Sequence, residues 1–342
     1  MPYGRESQPA SQSPFKVVAI GGGTGLATLL QGLKDYARTE PPCANVTAVV
    51  TVTDDGGSSG RLRREFDVPP PGDIRNCMVA LSEDEALLSR LFQYRFPAGR
   101  GLKGHSFGNL FLTALSRVTG DFAHAVRVSS EVLAIVGRIY PSTVANVALE
   151  ACLEDGTVVA GESRISKSRK RIEKVALRPA HCEPLAETLQ ALAEADVITL
   201  GPGSLFTSVI PNLLVKGIPE AISASRAVTA YIVNLMWQPG ETLNFTAADH
   251  VCALLRHAPD LRLDYAVVNT RPVSEPMRRK YARHRARPVE ADRDRLEALG
   301  LKVIAAELLE ETDKIRHDPK ALARVVLELA RQGRERRSSA RQ

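Results

Sequence analysis

Short apolar runs rich in Val and Ile recur along the chain, and between them leucines and alanines return every three or four positions. The first run, Lys16–Ile20, is β-branched and carries no polar interruption, the pattern of a strand buried on both faces. It stops at Gly21, and Leu26, Leu29, Leu30 and Leu33 then fall on one face of a helix. Val46–Val52, Ala195–Leu200, Ala230–Leu235 and Asp264–Asn269 repeat the buried-strand pattern, and Glu183–Glu194 reads as a helix. Asp73–Ala134 is predicted to be helical with breaks at Gly and Pro, and Asn146–Ser163 holds two strand-like runs around Asp155-Gly156, a hairpin signal. This alternation predicts an α/β fold: a doubly wound, mostly parallel Rossmann-like sheet with helices on both faces. Ligands of such sheets bind beyond the carboxyl ends of the strands. Each Gly- or Asp-rich segment of this chain follows a predicted strand.

The pattern changes at Arg271. A basic, Pro-flanked segment leads to a predicted helix at Ala291–Leu299, a strand at Leu301–Ala305 and a helix from Pro319 to Arg331. The expected organisation is a disordered, polar N-terminus (1–14), a nucleotide-binding core (15–270), a C-terminal α/β extension packed on the core (271–330) and a basic disordered tail (331–342). An apolar content of 44% with 25% charged residues supports a packed core and excludes an intrinsically disordered or collagen-like chain.

The net charge of +6 is unevenly spread. Arg331, Arg334, Arg336, Arg337 and Arg341 stand against Glu335 alone in the last twelve residues, so this tail holds +4 and the rest only +2. Two further basic runs, Arg164–Lys174 and Arg278–Arg287, read as solvated faces. With no zinc finger or RNP motif, nucleic acid is not an expected partner. Cys43, Cys77, Cys152, Cys182 and Cys252 are scattered without a CxxC pair, which suits reduced thiols. No apolar run is long enough for a transmembrane helix, and the N-terminus lacks the features of a secretory signal, so the expected location is cytoplasmic.

Five motifs can carry chemistry. In Gly21-Gly22-Gly23-Thr24-Gly25 the glycines allow backbone N–H groups to meet a phosphate at a helix N-terminus. No Lys-Ser/Thr follows, so this is not a Walker A loop, and Leu26 replaces the third glycine of GxGxxG. The second motif, Thr53–Gly60, sets Asp54 and Asp55 before Gly57, Ser58 and Ser59. Its carboxylates can hold Mg²⁺ or position a hydroxyl, and Arg61, Arg63 and Arg64 can clamp phosphate. In Pro69–Asn76, Asp73 suits a helix cap, with Arg75 and Asn76 on the first turn. Gly104–Asn109 offers His105 as an acid, base or donor, beside Asn109. The last, Gly201-Pro202-Gly203-Ser204, repeats the strand–glycine–helix layout. Asn212, Asn234 and Gln238 follow later strands, where amides match a nucleobase edge. Each motif also has a plain structural reading as a tight turn, cap or ordinary loop residue.

Together, GGGTG, TDDGGSSGRLR, PPGDIRNC, LFQYRF, GHSFGNL, GESRI, GPGSLFTSVIPNLLV and QPGET resemble the gluconeogenesis factor (YvcK-like) family over about residues 16–330. That family is similar in fold to the 2-phospho-L-lactate transferases of the CofD-like superfamily. The resemblance implies a bacterial, cytoplasmic protein that binds UDP-sugars such as UDP-N-acetylglucosamine and UDP-glucose. It also implies a role in cell shape and peptidoglycan synthesis on gluconeogenic carbon sources. It brings in Tyr281 and Arg316 as ligand contacts of the UDP-sugar branch, and it leaves room for a protein partner in cell-wall synthesis and for a homo-oligomer. No cofactor is required on this reading. The transferases use a guanosine-diphospho-lactate donor, a deazaflavin acceptor and Mg²⁺.

The expected function is therefore a UDP-sugar-binding regulator with no committed catalytic residue. The first alternative is a Mg²⁺-dependent transferase using Asp54, Asp55 or His105, with Asp54 and Asp55 as metal ligands. A second is an NAD-binding protein, against which the glycine pattern counts. A third is a scaffold that docks acidic partners through its basic tail.

Overall fold

The computed structural model describes residues 13–82 and 87–339. The N-terminal disorder expected for 1–14 therefore lies almost wholly outside the described residues.

Seven strands form the central sheet: β1 (Phe15–Gly21), β2 (Ala44–Val50), β3 (Arg138–Pro141), β7 (Val197–Leu200), β8 (Val228–Ile232), β9 (Tyr265–Asn269) and β10 (Lys302–Ala306). Their order is β10-β9-β8-β7-β1-β2-β3, and every pairing is parallel. This is the doubly wound α/β sheet that the alternating pattern predicts. β7 and β8 are buried along their whole length, as strands covered by helices on both faces must be. A three-stranded antiparallel sheet of β4 (Ala148–Leu153), β5 (Val158–Ala160) and β6 (Ile172–Arg178) adds its buried residues to the main core and contains the hairpin at Asp155-Gly156. β4 alternates buried and half-buried residues, the mark of a sheet covered on one face. A short hairpin pairs β11 (Leu309–Glu311) with β12 (Ile315–His317).

The helix Gly23–Ala37 buries Leu26, Leu29, Leu30 and Leu33, the stripe read from its spacing. Each such side chain contributes about 1.5–3 kcal/mol on leaving water. The strand order reverses at β1: β2 lies on one side, and β7, distant in sequence, on the other. The turns that follow β1 and β7 consequently face each other across the crevice where doubly wound sheets bind ligands.

The C-terminal region departs from expectation in two ways. The boundary at 270 falls within the central sheet, because β10 pairs with β9 in parallel and extends it. Residues 331–339 of the expected tail are also not disordered, and 340–342 lie outside the described residues. One helix runs from Pro319 to Ser339, packs on the helix Gly23–Ala37 and on β1, and seats its arginines at the amino ends of the strands. The reason is chemical: Asp196 and Asp264, just before β7 and β9, supply carboxylates that the arginines pair with.

Candidate functional site

A cavity of about 370 Å³ opens at the reversal of the sheet. Gly22, Gly23, Thr24 and Gly25 form one wall, and Gly203 and Ser204 face them. The two turns touch so closely that a Cβ on Gly25 would lie 2.4 Å from the Pro202 carbonyl oxygen. Gly22 is the N-cap of the helix Gly23–Ala37 and supplies no side-chain cap, so the donors of the first turn have no capping oxygen from that residue.

Asn234, Gln238, Tyr281 and Arg316 line the same cavity. The segment carrying Tyr281 and Arg316 is thus brought onto the Gly-rich turns from far along the chain. The Tyr281 hydroxyl accepts a hydrogen bond from Ile315 N–H at 2.9 Å, which ties the helix Glu275–Ala282 to β12. Arg316 is exposed, and its guanidinium has no hydrogen bond or ion pair among the described residues. Its plain alternative, a pair with Asp318, is not formed; the Asp318 carboxylate instead accepts from Lys320 and Ala321 N–H at the start of the last helix.

A second cavity of about 630 Å³ lies alongside and shares Ser204, Trp237, Gln238 and Tyr281 with the first. Gln238 Nε2 donates to Ser204 Oγ at 2.7 Å, and Asn234 Nδ2 donates to Gln238 Oε1 at 3.3 Å. The Arg287 guanidinium lies over the Trp237 ring. The pair of cavities combines a turn able to take phosphate, an unpaired cation, two aromatic rings and oriented amides.

The other predicted residues lie outside the lining of these cavities, in a buried polar layer or at its edge. Ser58 and His105 are both buried, with Oγ and Nδ1 2.9 Å apart. Burial, then the Arg61 charge, holds the His105 imidazole below its ordinary pKa, so it is neutral at physiological pH. Ser59 Oγ accepts from Asn109 Nδ2 at 3.2 Å, and Asn76 Oδ1 accepts from Arg75 Nη2 at 2.6 Å. Gly57 opens the helix Gly57–Phe66, and Gly201, with a positive φ, is the first residue after β7. Asn212 is completely buried, and its amide donates to the carbonyls of Gly21, Ser208 and Val209. It holds the two turns together from behind and is not presented to a ligand there.

Asp54 and Asp55 diverge. Asp54 Oδ1 accepts from Gly56 N–H at 2.8 Å, while Asp55 Oδ1 accepts from Ser163 N–H at 2.8 Å. Among the described residues no group of three His, Cys, Asp or Glu side chains is arranged to hold a metal ion.

Three acidic residues matter here that the motif reading placed elsewhere or passed over. Asp73 is not a cap: its helix starts at Gly72, and its buried carboxylate accepts from Gly23 N–H. Burial, then the Asp54 charge, raises its pKa to about 7. Glu162 lines the first cavity, and burial followed by the charges of Asp73, Asp54, Glu241 and Asp55 raises its pKa to about 9. Glu241 reaches the start of the helical segment after β7, accepting from Phe206 N–H at 3.1 Å and Thr207 Oγ1 at 3.0 Å. Those donors, just after the GPGS turn, are therefore taken by protein, as Gly23 N–H in the GGGTG turn is taken by Asp73. Thr28, Ser208, Trp237 and His317 also line the cavity; Trp237, the chain's single tryptophan beside the QPGET motif, was the signal available in the sequence.

Fold and crevice together define a doubly wound α/β protein with a cleft at the sheet's reversal point. The chain belongs to the family described as 2-phospho-L-lactate transferase CofD, whose model matches residues 17–309. It is 48% identical over 324 residues to a gluconeogenesis factor of Halalkalibacterium halodurans, covering 94% of this chain and 98% of that one. It is likewise 48% identical over 318 residues to the gluconeogenesis factor of Bacillus subtilis, covering 93% and 98%. The crystal structure of protein BH3568 from Bacillus halodurans superposes with a TM-score of 0.88 at 48% identity, over 92% of this chain and all of that one. The same protein has been described as a member of the UPF0052 family.

Proposed function

We propose that this chain is a gluconeogenesis factor that acts by binding a UDP-sugar, UDP-N-acetylglucosamine or UDP-glucose, in the cytoplasm. The carrying observation is the joining of the two cavities through Ser204, Trp237, Gln238 and Tyr281, with unpaired Arg316 on the glycine-rich side. A nucleoside diphosphate sugar has matching parts. Its diphosphate suits the GGGTG turn and a guanidinium. Its base and sugar suit aromatic faces and an amide that both donates and accepts. The absence of a single helix long and apolar enough to cross a membrane, among the described residues, agrees with this reading without deciding the location. On it, the bound state is sensed by a protein partner in cell-wall synthesis and bears on cell shape.

The test is a thermal-shift titration with UDP-N-acetylglucosamine, UDP-glucose, GDP and NAD, each with and without Mg²⁺. A ligand at about 100 times its Kd adds roughly 2.7 kcal/mol of stability. The UDP-sugars are expected to give the largest rise. A larger rise with GDP overturns this reading in favour of the transferase, and one with NAD favours a dinucleotide protein.

One observation supports the second reading, a transferase acting on a nucleotide-linked donor: Asp54, Asp73 and Glu162 gather carboxyl groups next to the cleft, two of them with raised pKa values suited to proton transfer. Its test is product formation from UDP- and GDP-linked donors, with Asp54→Asn as control. Sustained turnover that vanishes in the variant establishes an enzyme.

A further inference from the structure

A third cavity, of about 310 Å³, lies at the carboxyl ends of β8 and β9 and shares with the first only the wall residues Asn234 and Leu235. The strap from Val233 to Gln238 divides the two. It is fixed by Val289 N–H donating to the Leu235 carbonyl at 3.0 Å and Trp237 N–H donating to the Arg287 carbonyl at 2.8 Å. The third cavity is therefore a separate compartment with a firm partition, at the end of the sheet where such folds bind ligands.

Its walls have a consistent chemistry. Arg271 and Arg278 line it, and among the described residues no carboxylate does. Arg278 is exposed, and its guanidinium has no hydrogen bond or ion pair among the described residues. Arg271 donates one bond, from Nη1 to the Leu309 carbonyl at 3.2 Å, which leaves its other donors available. Its charge is felt by Glu311, whose carboxylate is engaged by Ser274 N–H. The backbone that carries Arg271 is shaped in advance. Asn269 Oδ1 accepts from Arg271 N–H at 3.2 Å and from Leu308 N–H at 3.0 Å, while its Nδ2 donates to the Arg271 carbonyl at 2.7 Å. An amide spent on both sides of one loop residue holds that residue's position without a ligand, the arrangement expected of a preorganised site. The lining also includes hydrocarbon from Val233, Val268 and Val289, together with the polar Asn234, Asn269 and Thr270.

We infer that this cavity is a second ligand site, distinct from the glycine-rich cleft, for a small organic phosphate with an apolar body. Two guanidinium groups suit a phosphate monoester, which accepts from planar donors on several oxygens. The valine floor takes the hydrocarbon part, and the volume is at the lower end of what ligand cavities span. A nucleotide sugar is too polar along its length for this floor, so the two compartments select different molecules.

Phenyl phosphate serves as the probe, titrated by calorimetry against the full chain, with inorganic phosphate alongside. Saturable binding of phenyl phosphate is expected, tighter than that of inorganic phosphate. Arg278→Met, which keeps an unbranched apolar stem on an exposed helix position, is expected to weaken it at least about tenfold, the size of one lost charge-assisted contact. Arg271→Met should do the same; its melting curve shows whether the variant is folded. Arg316→Met, in the first cavity, should change binding less than about twofold. No saturable binding by the wild type overturns the inference. So does unchanged binding by Arg278→Met, or a loss confined to Arg316→Met. Equal affinity for inorganic phosphate overturns the assignment of the apolar body.

Discussion

Arg334, near the end of the last helix, donates from Nη2 to the carboxylate of Asp196 at 2.9 Å, although the two residues stand 138 positions apart. Asp196 is only 6% exposed and accepts from Arg337 as well, at 3.3 Å. Arg334 also donates to the carbonyls of Ser13 and Pro14 and lies over the Phe15 ring. A carboxylate withdrawn from water needs such partners. Removing residues 331–342 is therefore expected to lower the melting temperature. Asp196→Ala should cost about 1–3 kcal/mol, the penalty for leaving buried polar partners unmatched. Both changes lie at the amino ends of the strands, away from the cleft, so ligand affinity of the folded fraction should stay within about twofold. A truncated protein as stable as the full chain contradicts the clamp.

Arg316 is expected to behave in the opposite way. It stabilises nothing visible in the fold, having no partner among the described residues. Arg316→Met should leave the melting temperature of the free protein almost unchanged. Its effect on UDP-sugar binding should be about tenfold or more, since hydrogen bonds to a charged group are worth about 1.5–3 kcal/mol. Calorimetry on both proteins separates the two effects; unchanged affinity removes Arg316 from the site.

The strands were legible because a parallel sheet covered on both faces needs unbroken apolar runs, as in Val197–Leu200. The motifs were legible because tight turns at strand ends concentrate glycine. What the sequence hid were long-range pairings. Nothing local in Arg334-Glu335-Arg336-Arg337 announces partners at Asp196 and Asp264, so a run of arginines read as a tail. Glu162 and Asp73 were hidden for the same reason. Their raised pKa values come from burial and from each other's charges, and neither is visible along one stretch of chain. His105 and Asn109 do not line the two cavities, because a Gly-flanked polar motif is equally suited to an inner polar layer.

Contact between the two glycine-rich turns should be sensitive to a single methyl group. A Cβ on Gly25 would sit 2.4 Å from the Pro202 carbonyl oxygen and 2.8 Å from Gly203 Cα, both backbone atoms that cannot turn aside. Gly25→Ala is thus expected to push the turns apart, lowering stability by about 1–3 kcal/mol as overpacking does. It should weaken cleft ligands more than ligands of the third cavity. A variant with wild-type melting and wild-type UDP-sugar affinity would show that the turns are not held in this contact.

Asp73 gives the cleft a pH dependence whose sign can be worked out. Its carboxylate accepts from Gly23 N–H in the turn that faces the ligand, and burial with the Asp54 charge lifts its pKa to about 7 from 3.8. The folded protein therefore holds a proton that the unfolded chain has lost. This part of the stability is fully present below about pH 4 and is lost as pH rises towards 7. Binding follows the same direction. An anionic diphosphate beside Asp73 favours its neutral form, so binding draws in a proton and affinity falls as pH rises through 7. Glu162, at about 9, remains protonated across this window, Asp54 and Asp55 add to the repulsion, and Arg75 offsets part of it. UDP-sugar Kd measured from pH 6 to pH 8.5 should rise by up to about tenfold per pH unit above 7, the limit for one coupled proton. Asp73→Asn keeps an oxygen for the Gly23 N–H and removes the charge. It should flatten the profile and bind more tightly than the wild type at pH 8. A profile as steep in the variant as in the wild type assigns the proton to another group and sinks this account of Asp73.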